Sequence, residues 1–232
     1  MQQLIPELRT VDDAAVLIAA DDRHPPAGRP WVMANMVMSI DGAYSRDGRS
    51  AGLSGDADRA MFAALRTLAD VVLVAAGTAR AERYRRPAAV PGHGSARLAV
   101  VTRSARIPDD QPFLSGEGPD PIVFHPSDAD TSSVPSGVEL RASGTTDVDL
   151  AGALANLRSD GAELVLCEGG PNLLGQLVGA GLLDELFVTL APTVVGGDRV
   201  GLIGANGPFD TSFDLHRLIE DDGFLLLCYR SS

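Results

Sequence analysis

Lysine is absent from this chain, and all 19 basic residues are arginine. A phosphate-binding loop of the Walker A kind needs its lysine, so P-loop chemistry is excluded. Schiff-base chemistry on a lysine is excluded as well, which removes pyridoxal-phosphate enzymes. Any phosphate must be held by arginine, hydroxyls, backbone N–H groups or helix ends. Aromatic residues make up only 5% of the chain, so Ala, Val and Leu must carry the core. Cysteine is limited to Cys167 and Cys228, each inside an apolar run. They read as buried thiols of a cytoplasmic protein, not as a disulfide or a zinc site. No run of 18 apolar residues occurs, so no membrane-spanning helix is expected. Residues 1–13 are too acidic and too broken for a signal peptide. Positive charge is in deficit, with a net charge of −12. That balance argues against nucleic-acid and anionic-membrane partners, which need a basic face. The histidines, His24, His93, His125 and His216, are scattered without metal-binding spacing; each reads as a surface or loop residue, and no metal is expected.

The 232 residues, 45% of them hydrophobic, suffice for one large α/β domain or two small ones. Residues 1–30 read as a peripheral extension with a short helix over Val11–Ala20, and residues 31–232 as one domain. Trp31–Ser39 fits a buried strand. Asp56–Leu68 reads as a helix, with Met61, Leu65 and Leu68 on one face and Asp56 and Asp58 near its start. Further strands are expected over Asp70–Ala76, Arg97–Thr102, Pro121–Phe124, Ala162–Cys167, Glu185–Ala191 and Phe224–Tyr229. Further helices are expected over Leu150–Ser159 and Leu173–Ala180. Strands alternating with helices imply a mostly parallel sheet. The closely spaced C-terminal strands suggest an antiparallel edge. If apolar and exposed, that edge would pair with a second copy, giving a homodimer.

Four loops follow apolar strands and carry groups suited to a ligand. One is Ser39-Ile40-Asp41-Gly42. The second is Gly77-Thr78-Ala79-Arg80, with Glu82, Tyr84 and Arg85 beyond. The third is Thr102-Arg103-Ser104, two hydroxyls and a guanidinium able to fork onto a phosphate. The fourth is Glu168-Gly169-Gly170, leading through Pro171-Asn172 into Leu173-Leu174. Two adjacent glycines allow close approach to the backbone, and a following helix offers free N–H groups to an anion. In open parallel sheets, ligands sit at the carboxyl ends of the strands. No Gly-x-Gly-x-x-Gly is present, so a dinucleotide would be bound by another fold's rules. Asp41 is read as shaping its Asp-Gly turn.

These elements, in this order, resemble the reductase of riboflavin biosynthesis. They are Asn35 with Ser39-Ile40-Asp41-Gly42, Leu65-Arg66, Ala69 to Gly77-Thr78, Glu168-Gly169-Gly170, and Ala191-Pro192 with Gly196-Gly197. The resemblance covers roughly Trp31 to Tyr229. It implies the dihydrofolate-reductase-like α/β fold, three layers with helices on both faces of the sheet, and an NADPH-dependent, often dimeric reductase. The substrate it implies is 5-amino-6-(5-phosphoribosylamino)uracil. It places Gly77, Thr78 and Gly169 to Leu174 along NADPH, with Thr102, Arg103, Ser104 and Arg80 near the adenosine 2′-phosphate. Ser39 would lie near the nicotinamide and substrate, and Glu168 would face the pyrimidine.

Two departures qualify it. Asn35 stands where deaminase-fused reductases often carry lysine, and no deaminase motif occurs in the chain. Glu82-Arg83-Tyr84-Arg85 replaces an Asp-x-Pro run leading to a substrate-phosphate arginine, a role left to Arg85 or Arg86. Asp58 matches a carboxylate that faces the pterin ring in dihydrofolate reductases, where it assists protonation. Asn35 and Asp58 therefore keep a dihydrofolate or pterin substrate open. A non-catalytic NADPH-binding module is the third reading.

Overall fold

The computed structural model of the chain describes all residues except 91, 93, 198, 199 and 205–207, so the reading of His93 lies outside it. In chain order the elements are β1 (Gln2–Ile5), β2 (Arg9–Thr10), α1 (Ala14–Ala19), β3 (Trp31–Ser39), α2 (Asp56–Leu68), β4 (Val71–Ala75), α3 (Ala76–Ala81) and β5 (Arg97–Val101). They continue with β6 (Ile122–His125), β7 (Glu139–Ala142), α4 (Leu150–Ser159), β8 (Leu164–Cys167), α5 (Pro171–Gly179), β9 (Glu185–Ala191), β10 (Phe213–Asp221) and β11 (Phe224–Ser231). The chain forms two compact units. The first comprises residues 1–23, 32–65 and 171–232, and the second comprises 24–31 and 66–170.

The second unit is built on parallel strands in the order β8-β4-β5-β6-β7. Val71 to Val74 and Leu98 to Val100 are all buried, so these Val/Leu runs fit strands covered on both faces. Val72, Val74, Leu98, Val100 and Val123 pack with Phe113 and Ile107 in one core cluster. Asp149 caps α4 by accepting the Gly152 N–H at 3.1 Å.

In the first unit β3 pairs with β9 in parallel, and β9, β11, β10, β1 and β2 follow in antiparallel order. On α2, Ala57, Met61, Ala64 and Leu65 are buried at helical spacing, while Asp56 and Asp58 occupy the first turn. Cys167 and Cys228 are free, buried thiols, and burial pushes the Cys167 thiol up to about 12.

Several expectations need correction. Glu185–Ala191 and Phe224–Tyr229 are internal strands: β9 lies between β11 and β3, and β11 between β10 and β9. They offer no edge to a second copy, so the ground on which the homodimer was expected is gone. Of residues 1–30, read as a peripheral extension, 1–23 supply β1, β2 and α1 to the first unit, and Gln3 is fully buried. Gly77, Thr78 and Arg80 lie on α3, not on a loop, because the chain turns from β4 into helix without an intervening residue. β7 and β10 were not anticipated. β7 alternates half-buried and exposed residues, and β10 carries Asp214, His216, Arg217, Glu220 and Asp221, which hide its strand pattern. His125 is buried at the end of β6, its Nδ1 2.9 Å from the Pro126 carbonyl.

Arg217 of β10 belongs to a buried network. Arg217 donates twice to Asp21, at 2.6 Å each. Arg23 donates to Glu185 at 2.6 Å, and Arg230 and the Cys228 thiol reach the same carboxylate at 3.3 Å. The side chains of Arg23 and Glu185 are 4% and 0% exposed, so this is an interior cluster. Burial works against the Asp21 charge, but Arg217, His216 and Arg23 outweigh it and hold the carboxyl below its ordinary value.

A carboxyl whose folded pKa is depressed contributes stability above its unfolded pKa, about 3.9, and loses it as pH falls through the folded value. Asp21→Asn is expected to cost about 3–5 kcal/mol at neutral pH, as when one partner of a buried pair is removed. It should also flatten the decline of stability below about pH 4. Denaturant titrations across pH check both, and an unchanged midpoint would show that the network adds nothing.

Candidate active site

Glu168 follows β8 and is pinned by its backbone. Its N–H donates to the Leu73 carbonyl at 2.9 Å, and the Ala75 N–H donates to the Gly169 carbonyl at 2.8 Å. Its carboxylate is gripped as a fork by Arg66, with Nε at 2.6 Å from Oε1 and Nη2 at 2.7 Å from Oε2. The Tyr84 hydroxyl donates to Oε2 at 2.7 Å. The Arg66 guanidinium also stands 5.7 Å from the centroid of the Tyr84 ring. Burial and the adjacent Glu168 charge push the Tyr84 phenol well above its ordinary value, so it remains a donor. Burial disfavours the Arg66 charge, but Glu168 more than restores it.

The Glu168 side chain is 1% exposed. Expected to face a pyrimidine, its carboxylate is enclosed here by Arg66 and Tyr84. Nothing local in the sequence signals this use of the two residues, because they lie 102 and 84 positions from Glu168.

The two glycines serve different ends. Gly169 has φ +82°, a region that side chains rarely adopt. At Gly170 a Cβ would lie 2.6 Å from Thr78 Oγ1. The close approach predicted for a ligand is made here by Thr78. Gly77 and Arg80, also on α3, are exposed.

The expected 2′-phosphate clamp is split. Thr102 is buried, with its N–H on the Phe124 carbonyl at 3.0 Å. Arg103 and Ser104 are exposed, and Arg103 forms an open ion pair with Asp147 at 3.1 Å. Such a pair is worth little and leaves the guanidinium available to a phosphate. Exposed Arg80, Arg103 and Ser104 thus suit an anionic cofactor.

Arg85 is grouped elsewhere. It lines an open cavity of about 580 Å³ with Ser95 and Gly116 to Gly118, residues that lead into β5 and β6. Thr78, Thr102 and Gly169 instead follow the strands' carboxyl ends. The substrate-phosphate role expected of Arg85 is not supported by this placement. Arg86 cannot replace it, because its guanidinium is spent on the carbonyls of Phe113, Leu114, Gly118 and Gly137.

In the first unit, Pro171 opens α5; Pro171, Leu173 and Leu174 are buried, and Asn172 is exposed. Ser39 is fully buried. Its hydroxyl donates to Asp41 at 2.6 Å and accepts the Ala43 N–H at 2.9 Å. Asp41 also accepts the N–H groups of Val195 and Gly196, at 3.1 and 2.9 Å. Ser39 above all, with these N–H groups, holds the Asp41 carboxyl far below its usual range. Asp41 shapes its turn as expected, and Ser39 has given its proton to that turn.

Asn35 and Asp58 stand apart from these closed arrangements. Asn35, on β3, is 7% exposed and its Oδ1 has no partner. Asp58, in the first turn of α2, is 6% exposed. Its Oδ2 accepts the Ser54 hydroxyl at 2.6 Å, and its Oδ1 has no partner. A buried acceptor left unmade costs about 1–3 kcal/mol, so a donor reaching either atom would be favoured. Ser54 escaped the sequence reading, although a hydroxyl four residues ahead of a first-turn carboxylate was its available signal. Its place is fixed by Gly55, where a Cβ would meet the Phe224 ring at 2.5 Å.

A family model described as the RibD C-terminal domain matches residues 30–222. The 2,5-diamino-6-ribosylamino-4(3H)-pyrimidinone 5′-phosphate reductase of Methanothermobacter thermautotrophicus is 32% identical over 197 residues, 82% of this chain and 90% of that protein. The riboflavin biosynthesis protein RibD of Mycobacterium tuberculosis is 27% identical over 88% of this chain, which spans 56% of it. Among solved structures, a pyrimidine reductase-like protein from Corynebacterium diphtheriae superposes with a TM-score of 0.83 at 22% identity, over 95% of this chain and 99% of that one. The expected α/β class holds, with mostly parallel strands and an antiparallel C-terminal part, and the fold is that of the pyrimidine reductase-like structure.

Because Thr78 occupies the space a Cβ would need, Gly170→Ala is expected to destabilise the protein by about 1–3 kcal/mol. Thr78→Ala in the same chain should recover most of that loss. A double-mutant cycle in denaturant measures the coupling, and additive effects would show that the two residues do not confine each other.

Proposed function

The chain belongs to the RibD C-terminal domain family, and from that premise we propose that it reduces a ribosylaminopyrimidine 5′-phosphate of riboflavin biosynthesis with NADPH. The observation that carries this reading is the 32% identity spanning 90% of the archaeal pyrimidinone phosphate reductase. Residues 31–232 are proposed to carry the activity. NADPH supplies a hydride, and the protein's task is to position the two reactants and exclude water. That task needs no nucleophile or metal.

Cofactor-binding roles are proposed for Gly77, Thr78, Arg80, Thr102, Arg103, Ser104, Gly169, Gly170 and the opening residues of α5, Pro171 to Leu174. Substrate-binding roles are proposed for Asn35 and Asp58, whose unpartnered oxygens support them. Glu168 is proposed as a positioning residue acting through Arg66 and Tyr84, and Ser39 as one acting through the Asp41 turn. NADPH over NADH is supported by the exposed guanidinium groups of Arg80 and Arg103, which can take a 2′-phosphate.

Following cofactor oxidation with the ribosylaminopyrimidine phosphate tests the reading directly. NADPH is expected to bind at least about tenfold more tightly than NADH, the scale of a charge-assisted contact. Arg80→Ala and Arg103→Ala should weaken NADPH and leave NADH unchanged. Equal affinities for the two cofactors would remove the clamp. Turnover of dihydrofolate instead would make the protein a pterin reductase, and NADPH bound but never oxidised would make it a binding module.

A further inference from the structure

We infer that Arg46 and Arg49, paired across a two-residue hairpin turn, form a seat for the 5′-phosphate of the substrate. This rests on the reductase reading above. It fills the role that the placement of Arg85 and the carbonyl contacts of Arg86 leave open.

The turn sets the pair. The Arg46 N–H donates to the Arg49 carbonyl at 3.0 Å, and the Arg49 N–H donates to the Arg46 carbonyl at 3.1 Å. Between them Asp47 and Gly48 both have positive φ, +53° and +75°. Two successive residues of that kind make a type I′ turn, for which Asp-Gly is a preferred sequence. The two arginines are thus a hydrogen-bonded antiparallel pair. Such pairs hold their Cα atoms about 5.5 Å apart and point their side chains to the same side.

Like charges directly opposite each other destabilise a hairpin. Other exposed arginines of this chain are given a carboxylate: Arg59 has Asp56, Arg83 has Asp110 and Arg103 has Asp147. Among the described residues neither Arg46 nor Arg49 has one, although the chain carries 31 acidic residues and a net charge of −12. Two exposed guanidinium groups held side by side and left unneutralised suit a doubly charged anion. A phosphate monoester brings nearly two charges and three terminal oxygens, onto which each guanidinium can fork.

The hairpin is tied to the segment that carries Asp58. A Cβ on Gly52 would lie 3.0 Å from the Arg46 Cβ and 3.5 Å from its Cγ and Cδ, so the Arg46 stem runs along Gly52. Arg49 caps a single 3-10 turn, Ser50–Gly52, which leads through buried Leu53 to Ser54, the donor to Asp58. The hairpin also follows the carboxyl end of β3, the strand of Asn35, and such ends are where sheets of this class take ligands. Arg46, Arg49, Asn35 and Asp58 all belong to the first unit, whereas Arg80 and Arg103, proposed for the cofactor, belong to the second. The pair is therefore assigned to the substrate's phosphate.

The test measures Kd by calorimetry, without cofactor, for the ribosylaminopyrimidine 5′-phosphate, its dephosphorylated form and ribose 5-phosphate. Turnover of the first two with NADPH gives kcat and KM. The native protein is expected to bind the phosphorylated compound about 100-fold more tightly than the dephosphorylated one, as for two charge-assisted contacts. Arg46→Ala and Arg49→Ala should each remove about 10-fold of that preference, in Kd and KM and not in kcat, as for binding shared by ground and transition states. Neither should change the affinity for the dephosphorylated compound or for NADPH. Gly48→Val keeps both charges but disfavours the turn, and should also lower the preference, by about 3–10-fold. Arg59→Ala, which removes an equal charge from α2, should leave it unchanged. Thermal unfolding checks that each variant is folded; if Gly48→Val is not, the two alanine variants decide.

A native preference retained in both alanine variants, a loss of NADPH affinity in place of phosphate preference, or an equal loss in Arg59→Ala each overturns the inference and leaves the reductase reading standing. If the ribosylaminopyrimidine phosphate is bound but never reduced, the reductase reading fails. Ribose 5-phosphate binding, compared between the native protein and the alanine variants, then still decides whether the pair seats a phosphate.

Discussion

The fork between Glu168 and Arg66 is the constraint on which the second unit's candidate site depends. Glu168 sits at the end of β8, Arg66 in the last turn of α2, and Tyr84 just beyond α3. One buried carboxylate therefore fixes the ends of three elements. A charge so enclosed is tolerable only while its partners stay in place, and loss of either would strand it in a poor solvent for ions. Immediately beyond it, Gly169 and Gly170 turn the chain into α5, and Thr78 of α3 closes over Gly170. The most ligand-like motif of the sequence is thus first a structural joint. What it can offer a cofactor is the backbone geometry that this joint imposes.

The first unit shows the opposite treatment of a carboxylate. Asp58 has a single protein donor, Ser54, and an oxygen left bare in the interior. Asp41, nearby in sequence, has three donors and a carboxyl held far below its usual range. Completeness of hydrogen bonding separates the two: the Asp41 carboxylate is satisfied by the fold, whereas Asp58 keeps one buried oxygen without a partner. By the same measure Ser39 belongs with Asp41, and Asn35 with Asp58.

The absence of lysine runs through both units. Each guanidinium presents a flat fork of donors that matches a carboxylate at two points, which an ammonium cannot do. Arg66 on Glu168 and Arg217 on Asp21 both use that fork. Arg86 turns the same geometry on backbone carbonyls and ties together the segments leading into β6 and β7. An arginine-only chain can thus bury charge where lysine would keep its ammonium in water.

By itself the sequence determined the regular elements whose burial is local and periodic. The bounds of β3, α2, α4 and β9 follow from apolar spacing and capping within a dozen residues, and the family resemblance follows from short ordered motifs. β10 stayed hidden because its buried Arg217 is paired with Asp21, nearly two hundred residues away. Only the tertiary structure decided that Glu168 is enclosed, that Arg85 lies with the residues entering β5 and β6, and that Asp58 keeps an unpartnered oxygen. The physical reason is the same in each case. Residue type states what hydrogen bonds a side chain can make, and only the folded chain states which of them are already made.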